Sequence, residues 1–182
     1  MTPSSYELVR DHCEVLIPSS GARVTAFFGM PTGNHLSSLR RHGNAGHLLS
    51  DSALKDEALN DSLSVHVLFE ANDELVGGIR FTSLKEKSCP INKLGVSEIC
   101  DLNFNVCEAG RFFIQPEFRS RSLLYLRAAS QLMIDISDYQ YYAAICQDQF
   151  LPLYSRLTTI NLANNLSLPE RKRKYNLILG KF

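Results

Sequence analysis

One stretch, residues 108–154, restricts the possible folds of this chain more than any other. It reads as a strand (Arg111–Ile114), a basic turn that ends at Ser122, a helical run, a second strand (Tyr141–Cys146) and a further helical run that contains Tyr154. Strand, helix and strand in this order are typical of a right-handed crossover between neighbouring strands of a covered sheet. The stretch therefore predicts an α/β fold.

The helical run after the turn has the pattern of an amphipathic helix. Apolar residues recur from Leu123 to Ile136, whereas Arg127, Gln131, Asp135 and Asp138 follow one another at steps of four, four and three. These polar residues share one stripe of a helix, and the rest of its surface is apolar. We expect a helix with a wide buried face.

The start of this helix has the features of an anion site. The first turn of a helix carries unpaired N–H groups and the positive end of the helix dipole, both of which favour a phosphate. Arginine side chains add charge and forked donors. The candidate binding residues are Arg119, Ser120, Arg121 and Ser122.

Composition favours an ordinary globular protein. With 182 residues, we expect one domain over residues 1–182. The formal net charge is zero, so nothing marks the whole molecule as a nucleic-acid binder. The chain lacks a signal-peptide pattern and the run of about 20 apolar residues that a membrane helix needs. We therefore expect a cytoplasmic protein with no membrane span.

Cysteines and histidines do not predict a disulfide framework or a metal site. No two cysteines have the Cys-x-x-Cys spacing, so we expect reduced and mostly buried thiols. His35, His42 and His47 are spaced by seven and five residues, which does not place all three on one helical face. The five cysteines are Cys13, Cys89, Cys100, Cys107 and Cys146.

A β-hairpin is predicted at residues 62–81. The first strand has a large apolar side chain at every second position, at Val65, Val67 and Phe69. The segment 71–74 supplies a turn, and an apolar run then returns to Phe81. Gly77 and Gly78 inside the returning strand indicate a bulge or a close approach of another backbone. Further strands are predicted at Cys13–Ile17, Ala22–Phe28 and Tyr175–Leu179, with a connecting loop at 83–97 and a loop or broken strand at 161–167.

The order of these elements, with Pro116–Arg121 in the turn and Glu108-Ala-Gly-Arg111 on the strand before it, resembles the GNAT acyltransferases. Within them it is similar to the acyl-homoserine-lactone (autoinducer) synthases and the long-chain N-acyl amino acid synthases. The resemblance implies a GNAT-like three-layer fold in the α/β (α+β) class, with a central mixed, twisted sheet flanked by helices. It also implies transfer of a fatty acyl group from acyl-CoA or an acyl carrier protein to an amino-acid-like amine.

The same resemblance implies roles for individual residues. Glu108 would deprotonate the amine, with Glu98 or Asp101 as the second choice, and Tyr154 would protonate the leaving thiolate. The acyl donor would contact Phe113, Ile114, Arg119, Ser120, Arg121 and Ser122. The acceptor would contact Arg40, Arg80, Glu98, Asp101 and Arg111.

Simpler interpretations of these residues stay open. Glu108 could form a structural ion pair with Arg111 or Arg80, and Tyr154 could be a core residue. A buried guanidinium needs a carboxylate or a substrate anion, so a partner is expected for each arginine if it is buried. Direct transfer from thioester to amine needs no thiol nucleophile, so Cys107 and Cys146 are expected to be packing residues.

Two other functions compete with fatty acyl transfer. One is a short-chain N-acetyltransferase that uses CoA, and the other is a GNAT-like domain that binds or regulates without catalysis. The basic run 171–174 would suit an acidic acyl carrier protein, but a solvated turn also accounts for it.

Overall fold

The structure, a computed structural model, describes residues 13–17 (backbone only), 21–29, 58–86, 88–94, 105–157, 159–168 and 173–182. Its strands are β1 (Cys13–Ile17), β2 (Ala22–Phe28), β3 (Ser64–Ala71), β4 (Glu74–Ser83), β5 (Val106–Ile114), β6 (Tyr141–Cys146), β7 (Thr159–Ser167) and β8 (Lys174–Lys181). Its helices are α1 (Ser122–Ile136) and α2 (Leu151–Tyr154), and residues 58–62 are also helical. Short 3-10 helices occupy Pro90–Leu94, Pro116–Arg121, Asp148–Phe150 and Ser155–Leu157.

The described strands form one mixed sheet with the order β1-β2-β3-β4-β5-β6-β8-β7. Neighbours are antiparallel except β5 and β6, which are parallel and joined through α1. A parallel pair needs such a crossover, because the chain must return to the same end of the sheet. The crossover and the mixed sheet predicted from the sequence are confirmed.

The predicted hairpin is formed by β3 and β4. Asn72 and Asp73 form its turn with φ values of 52° and 61°. Two residues in this left-handed region give a turn whose twist matches that of the strands. The prediction of a close backbone approach is also confirmed, since a Cβ on Gly77 would lie 2.7 Å from the Phe113 carbonyl oxygen.

Helix α1 covers one face of the sheet, and its exposed stripe is the predicted one. Arg127, Gln131 and Asp135 are exposed, and the Gln131 side chain donates a hydrogen bond to Asp135 at 3.0 Å. Its buried residues join the main hydrophobic core with side chains from β2 to β6 and β8. The core residues of α1 are Tyr125, Leu126, Ala129, Leu132, Met133 and Ile136.

The last part of the chain completes the sheet. Strand β8 lies between β6 and β7, and the predicted loop or broken strand at 161–167 is a strand whose register with β8 shifts twice. The predicted second helical run is a single α-helical turn, Leu151–Tyr154, between two 3-10 helices. In the part of the chain that the structure describes, no helix is long and apolar enough to cross a membrane.

Candidate active site

Strand β5 bends between Glu108 and Arg111. Arg111 has a φ of 56°, and β5 contains one residue more than β4 between the pairs Arg80–Gly110 and Gly78–Phe113. This extra residue is a β-bulge, which bends a strand and is frequent beside active sites. The parallel pairing of β5 with β6 ends at Glu108, opposite Ala143. Glu108 therefore lies at the point where the two central strands separate.

Buried polar side chains form a layer on the face of the sheet opposite α1. Cross-strand register places His66 beside Arg80, and Ser64 beside Thr82 and then Glu108. Residues directly opposite each other in a sheet present their side chains on the same face. The buried polar members of this layer are Asn60, Ser64, His66, Arg80, Thr82 and Glu108.

Arg80 forms a buried ion pair, as its position in an apolar strand predicts. Its Nη1 lies 2.7 Å from Asp61 Oδ1, and the two side chains are only 2% and 16% exposed. The guanidinium thus has the carboxylate partner that its burial requires. Asp61 belongs to the helical residues 58–62, so this ion pair fixes that segment to β4.

The Glu108 carboxylate receives hydrogen bonds from the segment before β5. The Cys89 thiol donates to Oε2 at 2.6 Å, and the Ile91 N–H donates to the same oxygen at 3.3 Å. The other carboxylate oxygen lies over Gly110, where an added Cβ would be 2.9 Å from Oε1. The carboxylate is therefore closely fitted to its surroundings.

His66 is a buried neutral base in the same layer. Its Nε2 lies 2.9 Å from the Asp61 carbonyl oxygen, which can only accept, so Nε2 carries the proton. Burial lowers the pKa of His66, and the Arg80 charge lowers it further against the opposing effect of Asp61. The ring stacks on Phe27 with centroids 5.4 Å apart. Among the described residues, none bonds to its Nδ1.

A small, largely apolar pocket lies on the α1 face, next to the point where β5 and β6 separate. Tyr142 and Tyr154 line it, and burial raises the pKa of both phenols, so each keeps its proton. Successive residues of a strand face opposite sides of a sheet, and Ala109 is in this pocket. The predicted catalytic residues Glu108 and Tyr154 thus lie on opposite faces. The other lining residues are Ile79, Phe81, Leu126, Ser130, Leu157 and Phe182.

The predicted phosphate turn is the 3-10 helix Pro116–Arg121, which leads directly into α1. Arg119, Ser120 and Arg121 are exposed. Ser122 is buried, and its N–H and its hydroxyl both donate to the Arg119 carbonyl, the hydroxyl at 2.8 Å. The arginines are therefore oriented towards solvent, whereas these two Ser122 donors are used inside the turn.

The remaining predicted site residues have mixed positions. Phe113 is buried and Ile114 half-buried on β5 beside β4, and Arg111 is half-buried at the bulge. Arg40, Glu98 and Asp101 lie outside the described residues, as do His35, His42 and His47. Within the described ranges, no three His, Cys, Asp or Glu side chains form a metal-binding group. Of the basic run, only Arg173 and Lys174 are described, and both are exposed.

The described thiols are free and buried, as predicted. Cys107 and Cys146 are in the main core, and burial raises the pKa of Cys146 to about 11. Neither thiol is ionised near neutral pH, which agrees with a packing role.

Sequence reasoning missed the residues that surround Glu108 and Arg80. No sequence motif connects these residues, because they come from different segments of the chain. They are His66, Cys89, Asn60 and Ser88. His66 had one signal, since it is a polar residue inside a strongly apolar strand. Cys89 had no local pattern that separates it from core residues.

A protein-family model matches part of the chain. The model of the acetyltransferase (GNAT) domain matches residues 45–129. None of the curated protein sequences matches the chain.

Several solved structures are similar in fold. FeeM, an N-acyl amino acid synthase from uncultured soil microbes, is 12% identical, with a TM-score of 0.65 over 88% of this chain and 91% of its own. BjaI, a CoA-dependent acyl-homoserine lactone synthase, is 18% identical, with a TM-score of 0.54 over 81% of this chain and 67% of its own. ElaA from Escherichia coli is 12% identical, with a TM-score of 0.60 over 87% of this chain and 99% of its own.

These likenesses confirm the fold predicted from the sequence, including the structural resemblance to synthases of both kinds. The chain therefore has the fold of the GNAT acyltransferases, with a match to the GNAT acetyltransferase domain over residues 45–129.

Proposed function

We propose that this protein is an N-acyltransferase that moves an acyl group, preferably a fatty acyl group, from a thioester to the amine of an amino-acid-like acceptor. One observation carries the proposal. The buried carboxylate of Glu108 lies where β5 leaves β6, within the fold of the GNAT acyltransferases.

The reaction needs one proton acceptor and one proton donor. The amine lone pair attacks the thioester carbonyl carbon, and Glu108 accepts the proton that the nitrogen loses. The carbon–sulfur bond then breaks, and the departing thiolate takes a proton from the Tyr154 hydroxyl. Burial keeps the pKa of Tyr154 above its ordinary value, so the phenol holds the proton that this step uses.

Glu108 and Tyr154 suit these roles because they lie on opposite faces of the sheet, next to the separation of β5 and β6. A thioester placed in that opening would have the amine on the Glu108 face and the sulfur towards Tyr154. Glu98 and Asp101 stay candidates for the proton acceptor, because they lie outside the described residues.

The donor would lie along β5 and the start of α1. Phe113 and Ile114 are the last two residues of β5, and Arg119, Ser120 and Arg121 are exposed where a phosphate group would approach. Ser122 shapes the turn through its bonds to Arg119. The same arginines would serve acyl-CoA or an acyl carrier protein, both of which carry phosphate on the donor arm. The basic residues 171–174 are a further candidate contact for the acidic carrier protein.

The acceptor would lie on the polar face. Arg80 and Arg111 are the candidate contacts for its carboxylate, together with Arg40, Glu98 and Asp101 outside the described residues. Asp61 balances the charge of Arg80 and holds it in place. The fold similarity to FeeM, an N-acyl amino acid synthase, supports an amino-acid acceptor.

The apolar lining of the pocket beside Tyr154 supports an acyl group as the part of the donor that enters it. Aliphatic and aromatic side chains form most of this lining. Short-chain N-acetyl transfer is the second candidate, because the matching domain model is that of an acetyltransferase.

A thiol-release assay tests the function. The protein is incubated with acetyl-CoA, long-chain acyl-CoA or long-chain acyl carrier protein, each with pooled amino acids, and N-acyl products are identified by mass. We expect long-chain N-acyl products, and Glu108→Gln should lower kcat about 100-fold or more. Arg119→Ala with Arg121→Ala should raise KM for the donor, whereas the exposed Arg127→Ala on α1 serves as the matched control.

Two results would contradict the proposal. Turnover of acetyl-CoA alone would favour the short-chain enzyme. Donor binding without turnover, measured as a rise in Tm, would favour a GNAT-like binding domain.

A further inference from the structure

The Glu108 carboxylate is held by groups that do not belong to its own strand. Its Oε2 accepts from the Cys89 thiol at 2.6 Å and from the Ile91 N–H at 3.3 Å. Cys89 is fully buried, and Glu108 is 5% exposed. Two donors on one oxygen restrict the rotation of the carboxylate.

Cys89 acts here as a donor and not as a nucleophile. Burial raises its pKa well above the ordinary value, and both the Glu108 charge and the hydrogen bond raise it further. This thiol therefore keeps its proton. It is not a nucleophile, because the thiolate is the reactive form of cysteine. A hydrogen bond donated to a carboxylate favours the ionised form that a general base needs.

A pair of side chains, the Asn60–Ser88 clamp, attaches the segment carrying Cys89 to the rest of the layer. The Asn60 amide donates to the Ser88 carbonyl at 3.1 Å, and the Ser88 hydroxyl donates to Asn60 Oδ1 at 2.6 Å. The Ser64 hydroxyl bonds to the Asn60 carbonyl and lies 2.7 Å from the Thr82 hydroxyl. Thr82 is the cross-strand partner of Glu108.

These contacts close a ring. The path runs from Glu108 through Cys89 and its chain neighbour Ser88 to Asn60, and then through Ser64 to Thr82, whose backbone pairs with that of Glu108. Asn60 also precedes Asp61, the partner of Arg80. The ring therefore connects the candidate general base to the ion pair on the acceptor side.

We propose that Cys89, held by the Asn60–Ser88 clamp, is a positioning residue that orients the Glu108 carboxylate and favours its ionised form. This rests on the proposed function, in which Glu108 accepts a proton from the acceptor amine. Among the described residues, the charged groups that act on Cys89 or on the neighbouring His66 are Asp61, Arg80 and Glu108.

The test compares Cys89→Ala, which removes the donor, with Cys89→Ser, which replaces it by a hydroxyl donor. In Cys89→Ala we expect kcat to fall about tenfold and the acid limb of the kcat/KM profile to move up by about half a pH unit or more, since a lost charge-assisted bond has effects of this order. KM for the acceptor should change less than about threefold, because the acceptor contacts stay in place. Cys89→Ser should keep the wild-type acid limb.

Two further variants make the result decisive. Cys146→Ala removes a buried thiol on β6, three residues beyond Ala143, the strand partner of Glu108, and should leave the acid limb in place. Ser88→Ala changes a half-buried residue and breaks the clamp, so it should move the limb in the same direction as Cys89→Ala even if that variant does not fold. The proposal would be overturned if the acid limb stayed unchanged in both Cys89→Ala and Ser88→Ala. It would also be overturned if Cys89→Ser lowered kcat and moved the acid limb as much as Cys89→Ala does.

A second readout separates this proposal from the proposed function. The titration of the Glu108 carboxyl carbon, followed by ¹³C NMR, needs no substrate and should shift upward in Cys89→Ala but not in Cys146→Ala. If the wild-type protein showed no turnover, the proposed function would fail, while this titration would still support or overturn the role of Cys89.

Discussion

Asp61 and Arg80 form a buried ion pair across two segments that are far apart in the sequence, with 2.7 Å between Asp61 Oδ1 and Arg80 Nη1. The pair connects the helical residues 58–62 to the middle of β4. It places a charged group deep on the polar face without leaving a net charge there.

Breaking this pair should destabilise the protein strongly. Asp61→Asn should lower the free energy of unfolding by about 3 kcal/mol, because removing one member of a buried pair leaves a charge that water cannot solvate. The matched control is Asp73→Asn, whose carboxylate is 97% exposed and 3.9 Å from Arg23. This control should change stability by less than about 0.5 kcal/mol. Urea unfolding measures the free energy of unfolding of both variants. Equal losses of stability in the two would contradict the prediction.

A methyl group at residue 110 should affect catalysis more than stability. Gly110→Ala would place a Cβ 2.9 Å from Glu108 Oε1, so the carboxylate would move. We expect kcat to fall about 10- to 100-fold, since a displacement of about 1 Å has effects of this size. Gly180→Ala is the contrast, because its Cβ would lie 2.3 Å from Cζ of the Tyr142 ring. There we expect a loss of about 2 kcal/mol of stability.

The two tyrosines of the apolar pocket should differ in their effect on the reaction. Tyr154→Phe removes the proposed proton donor and should lower kcat about 100-fold with little change in KM. Tyr142→Phe is the matched control, because the Tyr142 hydroxyl has no hydrogen-bond partner among the described residues. Its loss should leave kcat within about twofold and stability nearly unchanged. Steady-state kinetics with a poor leaving group would show the difference, and equal effects would exclude a special role for Tyr154.

His66 should make the stability of the protein depend on pH. Burial lowers its pKa in the folded state below the value of 6.5 expected in the unfolded chain. As the pH falls through this value, the unfolded state binds a proton before the folded state does, so stability decreases. Above it, the full stability is present.

His66→Gln tests this dependence and keeps a donor for the Asp61 carbonyl. From pH 7 down to pH 5, the wild type should lose up to about 1.4 kcal/mol per pH unit more than the variant. Unfolding at pH 8, where the imidazole is neutral in both states, gives the cost of the substitution alone. Parallel stability curves for the two proteins would disprove the prediction.

The sequence determined the fold to a large extent because the local patterns are strong. The alternation in β3, the turn at Asn72 and Asp73, and the polar stripe of α1 each depend on neighbours within a few residues. Local contacts of this kind are readable from spacing alone. The place of Glu108 on the central strand and the need of Arg80 for a carboxylate were also predictable.

The tertiary structure alone decided which residues meet. Asp61 pairs with Arg80, and Cys89 bonds to Glu108, across separations of 19 residues in both cases. No periodicity links such positions, because their contact depends on how the strands pair and how the segments before them cover the sheet. The sequence therefore determined the elements and the charges that had to be satisfied, whereas three-dimensional packing decided which partners satisfy them.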